Sequence, residues 1–248
     1  MRVLSVVHLD TDPPGLFGDA AVARGHEHHE WWIRSGGPPP EPPEAYDALA
    51  LFGGDMAVVE EAQYPFLREE KEHLRHAVAQ GVPVLGVCLG GQLLADVAGA
   101  RVTLARRPEI GWYDVELLPA AVDDALFHDL PAHFPAFQWH SWEFELPPGA
   151  VPLARNDVCL QAYRLGDTAW GVQFHPEPRP ETLAEWVEAA ATKSEAQRIG
   201  FDLASERAAT ERNVAQWNRI GRALFSRFLE VAEARADASA RLHARATA

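Results

Sequence analysis

Residues 82 to 94 read Val-Pro-Val-Leu-Gly-Val-Cys-Leu-Gly-Gly-Gln-Leu-Leu, and the folding of this stretch decides the rest of the chain. Val82 to Val87 is a nearly unbroken apolar run, the pattern of a strand buried on both faces at the centre of a parallel sheet. From Leu89 onward the spacing opens a helix that continues through Gln92, Leu93, Leu94 and Val97, so Cys88 falls at the turn between the two. Gly86-Val87-Cys88-Leu89-Gly90 is the thiol form of the G-x-S-x-G elbow, where a strained turn exposes a nucleophile and the flanking glycines avoid clashes. Such a turn lifts the sulfur clear of the sheet and sets it beside a helix N-terminus, which lowers a thiol pKa from about 8.5. It also aims the Leu89 amide at an incoming carbonyl oxygen. Taken alone, the pentapeptide also admits, as the lesser reading, a buried core cysteine beside glycines that permit close packing.

Working outward, Arg2 to His8 reads as an opening strand, Leu16 to Arg24 as a helix and Glu30 to Ile33 as a second strand, the start of a parallel sheet. The Gly/Pro-rich tract 36–43 has too few amide donors for helix or central strand and reads as a surface loop. Asp47 to Phe52 resumes an apolar strand, and Gln63 to Gln80 follows as an amphipathic helix closed by Gly81. From Gly111 to Gln173 shorter segments (112–118, 137–144, 158–163 and 168–173) predict strands with few helices. Beyond Pro180 the chain turns helical, with Trp217, Ile220, Leu224, Phe228 and Val231 on one apolar face. Ala232 to Ala248, with Leu242 its only large aliphatic residue, is expected to fray. The expected fold is α/β: an open, mostly parallel sheet flanked by helices over residues 1–185, with a C-terminal helical extension over 186–248.

The chain has 248 residues, 47% of them hydrophobic and 23% charged, which is enough for a substantial core and excludes wholesale disorder. Its 22 basic and 36 acidic side chains give a formal charge of −14, which repels nucleic acid and anionic membrane surfaces. No run approaches the roughly 18 apolar residues of a bilayer span, and the first residues are too short an apolar stretch for a signal peptide. The expectation is a soluble, cytoplasmic protein with two free thiols, Cys88 and Cys159, the latter a core residue.

A cysteine nucleophile needs a base, and the base needs an orienting partner. Gln173-Phe174-His175-Pro176-Glu177 offers both at the end of the apolar run 170–174. Pro176 biases His175 toward an extended conformation, which holds the side chains of 175 and 177 on the same side of the chain. A carboxylate there selects the imidazole tautomer and stabilises the imidazolium. Gly53-Gly54, after the strand ending at Phe52, can turn the backbone and present an amide at the edge where open α/β sheets bind ligands. Singly, each admits a plain turn.

In this order, strand-Gly-Gly at 53, the elbow from Gly86 through Gln92 and His-Pro-Glu at 175–177, the chain resembles the class I, triad-type glutamine amidotransferases, over about residues 1 to 185. It looks most like free-standing members related to the amidotransferase domain of GMP synthase. The resemblance implies Cys88 as nucleophile, His175 as general base and acid, and Glu177 as its orienter. It implies an oxyanion hole from the amides of Gly54 and Leu89. Gly53, Gln92, Ser141 and Trp142 would lie against the substrate, although Trp142 stands where relatives often show a different residue. Gly91 and Glu109-Ile110-Gly111 agree with the family pattern. The implied reaction is hydrolysis of a γ-glutamyl amide through a cysteine thioester, with release of ammonia or an amine and without cofactor.

No G-x-x-x-x-G-K-[ST] loop is present, and the residues after 185 are too few to build an ATP-activating domain. The leading expectation is therefore an independent hydrolase of a small γ-glutamyl substrate. The alternatives are an ammonia-supplying subunit docked on a separate synthase through the C-terminal helices or the patch of Arg101, Arg106 and Arg107, and a non-catalytic binding protein on the same fold. A homo-oligomer is compatible with the C-terminal helix. The tract of His26, His28 and His29 reads as a solvated loop just before a strand rather than a metal site.

Overall fold

The computed structural model describes residues 1–35, 37–42 and 45–246, with side chains described through residue 241. Residues 36 and 43 of the expected Gly/Pro-rich loop, and 247–248 of the expected frayed end, lie outside these.

The first half of the chain alternates strand and helix: β1 (Arg2–Val7), α1 (Gly15–Ala23), β2 (Glu27–Trp32), β3 (Ala48–Leu51), α2 (Phe66–Ala79), β4 (Val84–Val87) and α3 (Leu89–Val97). Strands β5 (Val102–Leu117), β6 (His133–Phe144), β7 (Val151–Arg155), β8 (Leu160–Leu165) and β9 (Ala169–Val172) follow. The chain then turns to helices α4 (Pro180–Ala190), α5 (Ser194–Arg198) and α6 (Leu203–Ala246). All nine strands form one sheet in the order β2-β1-β3-β4-β9-β8-β7-β5-β6. Pairing is parallel from β2 across to β9 and antiparallel from β9 out to β6. The parallel half is the one a strand-helix alternation builds, because each parallel step needs a crossover.

As the apolar run predicts, β4 is central, between β3 and β9, and buried on both faces. Leu85 and Val87 enter one core layer and Val84 the other, while Ala48 and Ala50 of β3 alternate in the same way with Leu49 and Leu51. That is the two-residue period of a pleated strand with a core on each side. Helices α2 and α3 cover one face through Leu67, Leu74, Leu93 and Leu94. The other face is covered by α1, α4 and α6, with Trp217, Phe225 and Phe228 fully buried.

Several elements differ from the sequence pattern: β5 starts at Val102 and β6 at His133, ahead of the expected 112 and 137, and α6 runs as helix to Ala246, through most of the stretch from Ala232 expected to fray. Helix α2 begins at Phe66 rather than Gln63, because Pro65 takes the N-cap position, where its missing amide is of no consequence. Strand β7 is not announced by the apolar pattern, since Pro147, Pro148 and Pro152 interrupt it. Pro152 is accommodated at a register shift on β8, where the ladder is already irregular. Among the described residues, no helix is long and apolar enough to cross a membrane.

Candidate active site

Cys88 occupies the turn between β4 and α3 with φ 50° and ψ −107°, one of two positive-φ non-glycine residues among those described. Its amide donates to the carbonyl of Val172 on β9 (2.8 Å). The flanking glycines are sterically required. A Cβ on Gly86 would lie 2.4 Å from the Gly90 oxygen, and one on Gly90 would lie 2.2 Å from the Leu51 oxygen. The backbone thus packs with no room for side chains, and the sulfur is left at the carboxyl end of the parallel strands. The Leu89 amide opens α3, where the first N–H groups have no intrahelical acceptor. Gly54 lies against Leu89, since a Cβ there would come within 2.6 Å of Leu89 Cδ2.

Because β9 is the neighbour of β4, the segment leaving β9 passes beside the cysteine. His175 Nδ1 is 2.6 Å from Glu177 Oε1. His175 Nε2 is buried and makes no other hydrogen bond, and the ring lies within interaction range of the Cys88 side chain. Burial opposes charge on the ring, but the Glu177 carboxylate and negative charge on Cys88 outweigh it and hold the His175 pKa well above the usual imidazole value. Two further groups touch the sulfur at 3.7 Å: it points toward the Trp139 carbonyl, and Gln173 Nε2 donates to it.

The segment 175–178 is held from several directions. The His175 amide donates to Phe137 O of β6 (3.0 Å), and the Leu16 amide at the start of α1 donates to Glu177 O (2.9 Å). From α6, Trp217 Nε1 donates to His175 O (2.9 Å) and Asn218 Nδ2 to Pro178 O (3.0 Å). The Trp186 ring of α4 stands edge-on to His175 with centroids 5.1 Å apart. None of these contacts is visible in the motif itself.

Of the other sequence-predicted residues, Gly53 closes the site from the β3 side: a Cβ would meet Asp12 Oδ2 at 2.3 Å and His175 Cε1 at 2.9 Å. Gln92 is buried on α3, and its amide donates to the Trp142 carbonyl (3.0 Å) and to Gln173 Oε1 (3.3 Å). Ser141 and Trp142 are half-buried on β6, two and three residues beyond Trp139. His140 ties that strand to a buried network, since its Nε2 is 3.1 Å from Glu109 Oε2 and its Nδ1 is 2.9 Å from Trp142 O. Cys88 and His175 keep 5% and 4% exposure, so access to the sulfur is narrow. A cleft of about 420 Å³, lined by Pro14, Asp19, His28 and Arg179 among others, includes neither residue in its wall.

Asp12 is the site residue that sequence reasoning missed. It is buried beside His175 and Glu177, and its only local signal is the Asp12-Pro13-Pro14-Gly15 turn. Two clusters bring three potential metal-donor atoms within 4.8 Å of one another: Asp12, His175 and Glu177, and Glu109, His140 and Cys159. In the second, Asn156 and Gln161 already donate to the Glu109 carboxylate (2.7 and 3.1 Å), the signature of a hydrogen-bonded network. His28 and His29 are not in a solvated loop but partly buried on β2, since that strand starts at Glu27 to pair with β1, and they bind separate partners, Ser5 Oγ and Tyr46 OH. Cys159 is partly buried just before β8, and burial pushes its thiol pKa far up. The Arg101, Arg106 and Arg107 patch is paired with Glu145 and Asp157.

A parallel half-sheet with a cysteine at its central strand-helix turn and a His-Glu pair leaving the adjacent strand defines an α/β protein of the cysteine-elbow kind. The family model for glutamine amidotransferase class-I matches residues 23–191. The chain is 32% identical over 185 residues to the glutamine amidotransferase-like protein YfeJ of Salmonella typhimurium, covering 71% of this chain and 76% of YfeJ. It is 34% identical over 167 residues to a gamma-glutamyl-L-1-hydroxyisopropylamide hydrolase of a Pseudomonas species, covering 64% of this chain and about half, 54%, of that one. The crystal structure of a glutamine amidotransferase from Thermotoga maritima matches with a TM-score of 0.83 at 30% identity, covering 93% of this chain and 98% of that one. The chain belongs to the class I glutamine amidotransferase family.

Proposed function

We propose that this protein hydrolyses a γ-glutamyl amide through a cysteine thioester. The observation that carries the reading is the His175–Glu177 pair at 2.6 Å, with the ring within interaction range of Cys88 on its positive-φ turn. Glu177 fixes the tautomer and leaves Nε2 for the thiol. The raised His175 pKa fits a ring that takes the Cys88 proton and holds it as an imidazolium beside a thiolate.

In this reading the thiolate attacks the γ-carbonyl carbon of the substrate, and the carbonyl oxygen becomes an oxyanion between the amides of Gly54 and Leu89, each worth about 3 kcal/mol to the step. His175 passes its proton to the departing nitrogen, the C–N bond breaks, and ammonia or an amine leaves. A water then gives a proton to His175 and attacks the thioester, and the γ-carboxylate and the Cys88 thiol are regenerated. Gly53 and Gln92 shape the pocket, with Ser141 and Trp142 on the β6 side, and the narrow opening suits a slender γ-glutamyl chain. Residues 1–185 act as the amidotransferase unit and 186–248 as an extension, which packs on it through Trp217, Phe225 and Phe228. Two unpaired cysteines fit a reducing, cytoplasmic setting. The Pseudomonas relative, named as a hydrolase of gamma-glutamyl-L-1-hydroxyisopropylamide, supports an amine rather than only ammonia as leaving group.

The test is a screen of the purified chain against glutamine and a series of γ-glutamyl amines, following released amine, alongside Cys88→Ala. Turnover of one γ-glutamyl amine by the wild type, abolished in the variant with its circular dichroism unchanged, is the expected result. Turnover that survives in Cys88→Ala sinks it. Weak glutamine hydrolysis that rises on adding a separate synthase would replace the hydrolase by an ammonia-supplying subunit.

A further inference from the structure

We propose that Asp12 is a positioning residue of this site, donating a hydrogen bond from a protonated carboxyl group to Glu177 and so extending Cys88, His175 and Glu177 to a chain of four. The inference deepens the amidohydrolase reading, and its kinetic readout rests on that reading.

The geometry begins with the loop between β1 and α1, which is bound down over the His-Pro-Glu segment. The Asp12 amide donates to Leu9 O (3.0 Å), and Trp186 of α4 donates its indole N–H to Thr11 O (2.8 Å). Three residues on, a Cβ on Gly15 would lie 2.2 Å from the Glu177 carbonyl, so only glycine allows the loop to press this closely. Asp12 is left 4% exposed, with oxygen atoms within 4.8 Å of donor atoms of both His175 and Glu177.

Two oxygens in this nest, Asp12 Oδ1 and Glu177 Oε2, are buried and have no hydrogen-bond partner. As carboxylates both are acceptors only, and neither can satisfy the other. One proton shared between them satisfies both, the arrangement that paired carboxyl groups adopt when two negative charges cannot be held side by side. Burial first, and then the negative charge of Glu177, hold the Asp12 pKa well above the usual carboxylate range, while the charge on His175 opposes this only in part. The groups facing Asp12 are His175 and Glu177 from the segment after β9 and the Gly53 amide after β3, which donates to the carboxyl group. Trp186 of α4 faces the nest through its contact with His175.

The consequence concerns Glu177 rather than substrate. Its Oε1 is committed to His175 Nδ1, and a donor on Oε2 stops the carboxylate from rotating away from the ring. Asparagine can reproduce a protonated aspartic acid here, because its carbonyl can accept from Gly53 and its amide can donate to Glu177. Alanine can do neither.

The test compares Asp12→Ala and Asp12→Asn in the full-length protein, with the best γ-glutamyl amide as substrate and thermal melting as the fold control. Asp12→Ala is expected to lower kcat tenfold or more with KM changed less than about threefold. Asp12→Asn is expected to recover kcat to within about threefold of wild type, with the alkaline limb of its pH profile moved to higher pH. The inference is overturned if folded Asp12→Asn is as slow as Asp12→Ala, if Asp12→Ala is undiminished, or if the wild-type and Asp12→Asn profiles superimpose. Proton NMR of the His175 Nδ1–H gives a second readout independent of substrate. Its downfield resonance should shift in Asp12→Ala and return in Asp12→Asn, and an unmoved resonance in Asp12→Ala refutes the inference. A wild type that turns over no γ-glutamyl amide would count against the proposed function alone, and the NMR comparison would still decide the role of Asp12.

Discussion

The indole N–H of Trp217 donates to the backbone carbonyl of His175 at 2.9 Å, so a residue on the long C-terminal helix holds the main chain of the imidazole. Trp217 is fully buried, with its ring 5.5 Å edge-on to Phe174 and stacked at 6.1 Å on Phe134. Helix α6 therefore does more than cover the sheet: with Asn218 it fixes the strand exit from which His175 and Glu177 project.

Trp217→Phe keeps most of the packing and removes the donor, which leaves a buried carbonyl unsatisfied at a cost of about 1–3 kcal/mol. The expected outcome is a melting temperature lower by several degrees and a reduced kcat, read by calorimetry and by amine release. A variant with unchanged kcat would show that the carbonyl does not set the position of His175.

At Gly53 the packing leaves no space beside the imidazole. Gly53→Ala drives a methyl group into Asp12 Oδ2 and His175 Cε1, at 2.3 and 2.9 Å before relaxation. The ring must move, and displacements of this size cost on the order of 10²-fold in rate. Steady-state kinetics on a folded Gly53→Ala protein should show that loss chiefly in kcat.

Backbone strain at Cys88 inverts an ordinary ranking. In most settings glycine is less stable than alanine by roughly 0.5–1 kcal/mol, but at φ 50° and ψ −107° a residue bearing Cβ is strained by about 1–3 kcal/mol. Cys88→Gly should therefore melt at or above the temperature of Cys88→Ala, both being inactive. The reverse order in denaturant titrations would mean that the turn relaxes without the sulfur.

The raised Asp12 pKa has a sign that calorimetry can check. Between the unfolded carboxyl pKa near 4 and the higher folded value, the native state holds a proton that the unfolded chain has released. Stability from this group then falls as pH rises across that window. Asp12→Asn removes the dependence, so its stability relative to wild type should grow from acidic to neutral pH. A constant difference would mean that Asp12 is ionised in the folded protein.

Much of the site is legible in the chain because it is local. The apolar run before Cys88, the glycines at 86 and 90 and the helix that follows are consecutive, and steric exclusion around the turn is set by neighbours in sequence. His175 and Glu177 are two apart, so an extended backbone brings them to the same side. The strands after Gly111 are less legible: prolines mask β7, and the long β5 strand reaches its partners through a register shift between Leu104 and Glu109.

What the amino-acid sequence determined by itself was therefore the central strand, the cysteine turn and the pairing of imidazole with carboxylate, each a matter of short-range geometry. What only the tertiary structure decided was which distant groups complete them: β9 laid beside β4, Trp217 reaching back to His175, and Asp12 pressed onto Glu177. The reason is physical. Burial and the satisfaction of buried polar atoms depend on strand order and helix docking, and a carboxyl group in a Pro-Gly turn carries no mark of the charge it will face once water is gone.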